Sequence, residues 1–261
     1  MGESPATEDR DGPELVRVEH RGNVAVLTLD HEEDRNALSL SMTRALVDAV
    51  RTVQALGRAG ALVVDASGPV FSAGGSVDDL FEPKAPLTEM YAGFVAIAEC
   101  GLPSVAAVTG PALGAGMNLA LACDLIVCSP SARFETRFLD IGLHPGGGHL
   151  WQLRQRMGRQ GAAAMAFFGE SLGGEEAAQR GLAWRCVEES QVLKLAVELA
   201  SRAAVLDRPL VERARATLDE ATAVHSAADA LTLELAPQQW SMERPEFRSR
   251  LEALRRRLGR S

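Results

Sequence analysis

Gly110-Pro-Ala-Leu-Gly-Ala-Gly-Met-Asn-Leu-Ala-Leu-Ala-Cys-Asp124 decides how this chain is read. Small residues feed straight into an apolar helix pattern, and the first turn of a helix leaves backbone N–H groups without intrahelical partners. Residues without bulk let a ligand oxygen come within hydrogen-bonding distance of those groups, so the segment reads as a site for an oxyanion. A glycine turn packed closely under a helix is the structural alternative. A second small-residue turn upstream, Val70-Phe-Ser-Ala-Gly-Gly-Ser-Val-Asp-Asp79, follows the strand-like run Ala61-Leu-Val-Val-Asp-Ala66 and supplies a second set of donors.

The two turns belong to a longer series: Asn36-Ala-Leu38, residues 71–76, residues 109–116, Cys123-Asp124 and residues 134–148. In order and spacing this series resembles the crotonase (enoyl-CoA hydratase/isomerase) superfamily, over roughly residues 14–258. The resemblance implies an α/β chain with the crotonase (ClpP/crotonase-like) fold, in which repeated ββα units form a spiral core with a C-terminal helical region. It also implies an acyl-CoA thioester as ligand, with coenzyme A as part of the substrate and no separate cofactor, and a homo-trimer or hexamer.

Carried over residue by residue, the two oxyanion donors fall on Gly75 and Ala115, and Arg35, Ala37, Ala73, Ser76 and Val77 would line the nucleotide and pantetheine. Ser76 stands where the family commonly has Asp, and Ala115 replaces the middle glycine of the turn. Alanine is harmless there if its φ stays negative. The two glutamates of the hydratases fall on Asn118 and Phe138, neither of which can exchange a proton near neutral pH. A further position that some isomerases fill with a carboxylate falls on Gly146. Hydration by paired carboxylates is therefore disfavoured. The chain reads as an enzyme of the enoyl-CoA hydratase/isomerase type working by enolate stabilisation, or as a non-catalytic acyl-CoA-binding protein with the same pocket.

Ionisable groups nonetheless cluster in Phe134-Glu-Thr-Arg-Phe-Leu-Asp-Ile-Gly-Leu-His-Pro-Gly-Gly-Gly-His149. A histidine titrates in the range that suits a general base. His144, after the Ile-Gly-Leu that leads past the acyl pocket in the family, is the candidate base. Asp140 could orient its imidazole if one helical turn brings positions i and i+4 together. His149 opens a helix pattern and reads as structural. Glu135 and Arg137 read as a paired or solvated face, Asp78 and Asp79 as helix caps with acid/base work the minority reading, and Asp124 as a structural hydrogen-bonding group. Trp151, Phe167, Phe168 and Trp184 read as core or acyl-tunnel lining. The basic run at Arg255–Arg257, with Arg248 and Arg250, reads as a solvated helix face; the resemblance implies a minority role for it against CoA phosphates.

Composition narrows the field further. With 261 residues and a formal net charge of −8, the chain can bury a sizeable core and is ill suited to nucleic acid. No apolar run reaches the length of a membrane span, and residues 1–13 are acidic and polar, unlike a signal peptide, so a disordered tail and a cytoplasmic location away from membranes are expected. Four cysteines lie in apolar stretches without metal-ligand spacing and read as reduced core thiols, with no metal site. No Gly-Lys-Ser/Thr and no G-x-G-x-x-G after the first strand support a nucleotide site.

Coarse patterning predicts a hairpin around Arg21-Gly-Asn23, a helix capped by Ser39 or Ser41 and running to about Leu56, and parallel strands near residues 61–66, 105–109, 125–128 and 183–187. A core over residues 14–190 is expected, followed by a helical region over 191–261, interrupted near Pro209, Pro237 and Pro245, for which the resemblance implies a trimerisation or covering role.

Overall fold

In Val24-Ala-Val-Leu-Thr-Leu29, Ala25, Leu27 and Leu29 point to one face of a strand while Val24 and Val26 point to the other, and all five are buried. Such a strand needs cover on both faces, which parallel sheets obtain from crossing helices. The computed structural model describes residues 14–259, and the tail expected over residues 1–13 lies outside them.

In chain order the elements are β1 (Val16–Arg21), β2 (Val24–Leu29), α1 (Leu40–Leu56), β3 (Ala61–Ala66), α2 (Val77–Phe81), α3 (Leu87–Met90), α4 (Ala92–Ala98), β4 (Ser104–Val108), β5 (Pro111–Leu113), α5 (Ala115–Leu121), β6 (Leu125–Cys128), β7 (Arg133–Glu135), α6 (His149–Phe167), β8 (Leu172–Gly173), α7 (Gly174–Gln179), β9 (Arg185–Cys186) and α8 (Glu189–Ala203). The main sheet runs β1-β2-β3-β4-β6-β9, antiparallel only at the β1–β2 hairpin. A second sheet, β5-β7-β8, was not anticipated from the sequence; its strand β5 leads into the second small-residue turn and is bridged to the first at Ser72 and Ala112.

One face of the main sheet, with Leu27, Leu62, Val64 and Ala106, shares a core with Met42, Leu46, Val50 and Val53 of α1. The opposite face, with Val26, Val63, Val105 and Val127, is covered by Val192, Ala196 and Ala200 of α8. Because α8 completes this second core, the chain divides into two compact units after Ala204. Of the two candidate caps for α1, Ser39 does the work: its Oγ accepts from Met42 N–H at 3.1 Å.

The second unit holds α9 (Arg208–Glu220), α10 (Ala227–Glu243) and α11 (Pro245–Arg257). Pro209 and Pro245 sit in the first turns of α9 and α11, where a missing N–H costs nothing. The interruption expected at Pro237 is not there: α10 runs through it, and with no buried residue in this helix the carbonyl left unbonded can be met by water. The guanidinium groups of Arg213 and Arg244 both lie over the Trp240 ring, 4.2 and 4.7 Å from its centre.

Among the described residues no helix is long and apolar enough to cross a membrane, and no cluster of three or more His, Cys, Asp or Glu side chains could hold a metal ion. All four cysteines are free thiols.

Candidate functional site

The first turn is held open by Asn36. It follows Arg35 in a left-handed stretch (φ 53° and 52°), a conformation asparagine tolerates better than most residues. The fully buried side chain accepts from His31 N–H and donates to the carbonyls of Ser67 and Val70, each at 2.9 Å. Ser72 Oγ donates to the Asn36 carbonyl at 2.7 Å, and Ala73 N–H donates to Arg35 O at 2.9 Å. Beyond it, Leu38 N–H donates to Gly74 O and Ser76 N–H donates to Leu38 O, a parallel bridge centred on Leu38 and Gly75. In such a bridge the middle residue turns its own N–H away from the partner strand. The Gly75 amide therefore faces outward from Leu38.

The second turn is stitched to the first. Ser72 N–H donates to Pro111 O at 3.1 Å, and Leu113 N–H donates to Ser72 O at 3.0 Å. Gly114 N–H is taken by Glu135 O at 2.8 Å, so α5 starts at Ala115 with its first amide available. Two glycines let the turns touch. A Cβ on Gly74 (φ +106°) would stand 2.8 Å from Leu113 O and 3.8 Å from Ala115 N, and a Cβ on Gly116 would stand 2.5 Å from Ser72 O. Ala115 itself is not among the residues with positive φ, so its methyl group carries no backbone strain. Among the described residues neither the Gly75 nor the Ala115 amide has a hydrogen-bond acceptor. Two unspent donors thus lie on neighbouring, interlocked turns.

One helical turn beyond Ala115, Asn118 is buried and fully engaged. Its Nδ2 donates to Gly146 O at 3.0 Å, which fixes the amide orientation and leaves Oδ1 facing His149 Nδ1 at 2.6 Å. An amide oxygen only accepts, so the proton of His149 is on Nδ1; Nε2 is then the acceptor for the Thr136 hydroxyl at 3.1 Å. Phe138 meets the imidazole edge to face with ring centres 5.0 Å apart. Burial among these groups pushes the His149 pKa down to about 4, so the ring is neutral at pH 7. Thr136, His149, Asn118 and Gly146 thus form one closed, uncharged network, with Phe138 packed on it.

The pairing of Asp140 with His144 expected from their spacing does not form. Leu139–Ile141 make a short 3-10 turn that Gly142 ends in the left-handed region, and both side chains are exposed. His144 Nδ1 lies 2.8 Å from Pro145 O. Asp140 instead lines a cleft of about 250 Å³ with Arg133, Glu135, Arg137, Glu170 and Ser171. In it, burial raises the Glu135 pKa, but Arg137, Arg133 and Ser171 outweigh that and hold the carboxyl below its usual range. The paired reading of Glu135 and Arg137 holds.

Around the first turn, Ala37, Ala73 and Ser76 are half-buried while Arg35 and Val77 are exposed. Ser76, not Asp78 or Asp79, caps α2, through Asp79 N–H at 3.4 Å. Asp79 is buried and accepts from Leu40 N–H at 2.8 Å, so it ties α2 to the start of α1. Asp124 accepts from the Ser104 amide at 2.7 Å, the structural role expected of it. Trp151, Phe167, Phe168 and Trp184 are not core: each is at least half exposed. In α6 the inward face is formed by His149, Leu153, Ala162, Met165 and Ala166, and Trp151 and Phe167 lie off it. Sequence reasoning missed Thr136 and also Tyr91, whose hydroxyl approaches Gly146. Its being the only tyrosine in the chain is the sole sequence signal it offers.

The family model described as enoyl-CoA hydratase/isomerase matches residues 19–253. The Mycobacterium tuberculosis (strain ATCC 25618 / H37Rv) protein named "Probable enoyl-CoA hydratase EchA14" is 38% identical over 258 residues, covering 94% of this chain and 98% of its own. A crystal structure from Geobacillus kaustophilus HTA426, titled as an enoyl-CoA hydratase subunit I, superposes with a TM-score of 0.85 at 24% identity, covering 95% of this chain and 96% of that one, a likeness of fold. An enoyl-CoA hydratase-type structure from Thermobifida fusca YX, solved in complex with CoA, superposes with a TM-score of 0.78 at 25% identity, covering 88% of this chain and 95% of that one.

Proposed function

This chain belongs to the enoyl-CoA hydratase/isomerase family, and from that premise we propose that it binds an acyl-CoA thioester with the carbonyl oxygen between the Gly75 and Ala115 amides and stabilises the enolate that forms there. The observation that carries this reading is the pair of unspent amides on interlocked turns. Fixed donors aimed at an oxygen that gains charge lower the barrier more than they tighten ground-state binding. Arg35, Ala37, Ala73, Ser76 and Val77 border the same turn and are the assigned contacts for the nucleotide and pantetheine.

The chemistry is of the hydratase/isomerase type but without paired carboxylates, since Asn118 and Phe138 hold those positions. That closed uncharged network also favours a second reading, an acyl-CoA-binding protein without turnover. The chain is assigned a homo-trimeric or hexameric state. Leu231, Leu235, Leu251 and Leu254 support it as large apolar side chains exposed on the single chain.

The test is calorimetric. Crotonyl-CoA should bind more tightly than S-butyl-CoA, a thioether with no carbonyl oxygen, and Ala115→Val should remove the difference. Equal affinities for thioester and thioether in the native protein would overturn the assignment of the two amides.

A further inference from the structure

Tyr91 caps the short helix α3 and opens α4, with its ring half-buried against Phe94 at 5.4 Å between centres. Its hydroxyl occupies space that a side chain at position 146 would need: a Cβ on Gly146 would stand 2.3 Å from Tyr91 Oη. Gly146 is also the residue whose carbonyl Asn118 holds, and a Cβ on Gly147 would stand 2.8 Å from Asn118 Nδ2 and 2.6 Å from Phe94 Cζ. Tyr91, Phe94, Asn118 and the 146–147 backbone therefore meet at one place, a helical turn along α5 from the Ala115 amide. Among the described residues the Tyr91 hydroxyl makes no hydrogen bond. Around it, Asn118 cannot titrate and His149 is neutral with both nitrogens taken. His144 is turned to its own backbone at Pro145 O.

We propose that Tyr91 is the proton-carrying catalytic residue of the acyl site. The proposal rests on the thioester reading above and deepens it. Once its phenolic proton has passed to solvent, the Tyr91 oxygen takes the α-proton of the bound thioester; the C–H electron pair moves into the Cα–C bond, and the carbonyl π pair passes to the oxygen held by Gly75 and Ala115. As phenol, it returns a proton to carbon, the enolate electrons form the new C–H bond, and the oxygen becomes a carbonyl again. Return to the α-carbon regenerates the substrate, and return to the γ-carbon of a dienolate moves the double bond. A single group suffices for that 1,3-proton shift, whereas hydration must both activate water and protonate carbon.

The experiment follows α-hydrogen exchange of butyryl-CoA and of a 3-enoyl-CoA in D2O by mass spectrometry, with calorimetric affinity measured alongside. Native protein should bind both and exchange deuterium into them. Tyr91→Phe should keep its affinity within about fivefold and lose exchange by at least about a hundredfold, the lower end of what a general acid/base contributes. Because Tyr91 is the only tyrosine, uniform incorporation of 3,5-difluorotyrosine changes this one phenol, and the pH for half-maximal exchange should fall with it. Undiminished exchange in Tyr91→Phe, an unmoved pH profile in the fluorinated protein, or loss of exchange in His144→Gln with retention in Tyr91→Phe would overturn the proposal. Thioester binding with no exchange in the native protein would overturn it too and leave the binding reading standing, whereas failure to bind thioesters at all would instead remove the reading beneath it.

Discussion

The Nδ1 hydrogen of His149 is held by the Asn118 carbonyl at 2.6 Å, with the histidine almost wholly buried. The unfolded chain, with an ordinary histidine pKa, binds a proton between about pH 6.5 and 4 that the folded chain does not. Stability contributed by the neutral ring is thus complete above the ordinary pKa and is lost as pH falls toward 4, by up to about 3 kcal/mol. Urea denaturation at pH 7.5 and pH 4.5 should show this loss in the native protein and a smaller one in His149→Gln. An equal loss in both would place the acid sensitivity elsewhere.

Changing the partner tests the same bond from the other side. Asn118→Ala leaves the Nδ1 hydrogen buried without an acceptor and should cost about 1–3 kcal/mol in chemical denaturation. Asn118→Asp keeps an acceptor and makes it anionic, which favours the imidazolium, so the His149 proton resonances should titrate roughly one to three units higher than in the native protein. The aspartate cannot donate to Gly146 O, and the 144–148 loop should lose amide protection in the same variant.

Gly116 and Gly75 should respond oppositely to a methyl group. At Gly116 it would meet Ser72 within 2.6 Å, and the strain should cost about 1–3 kcal/mol and weaken thioester binding as the turns part. At Gly75 a Cβ meets only Leu80 Cδ1 at 3.8 Å, so thermal stability should change by less than about 0.5 kcal/mol. Comparable melting temperatures for the two variants would show that the turns are not interlocked as described.

With crotonyl-CoA, hydration should run at least about a hundredfold below the rate of a hydratase bearing both glutamates, because general acid/base assistance supplies 10²–10⁴ in rate. A spectrophotometric assay of enoyl-thioester loss decides it. Hydration at ordinary enzymatic rates would mean that a group other than Asn118 or Phe138 activates water.

The elements with regular periodicity were legible in the sequence: the β1–β2 hairpin, α1 with its Ser39 cap, and the buried strands β3, β4 and β6. β5, β7 and β8 were not, because strands of two or three residues carry too few side chains to show alternation. The turns bearing Gly75 and Ala115 could be found because glycine there answers to a local need, a positive φ or a close approach. The Asn118–His149 and His149–Thr136 bonds join residues 31 and 13 apart, and no local pattern encodes them. For the same reason the loop histidine that looked reactive, His144, proves exposed, and the tyrosine beside Gly146 drew no notice.

The stitching of Ser72 to Pro111 and Leu113 bears on how such a chain can change over time. Both proposed oxyanion donors are peptide N–H groups, which every residue but proline supplies, so drift in side-chain identity leaves the proposed cradle for the carbonyl in place. Positions 118 and 138 hang from that cradle without building it. A lineage can exchange the groups that move protons beside it, one chemistry for another, while the proposed handle on the thioester stays the same.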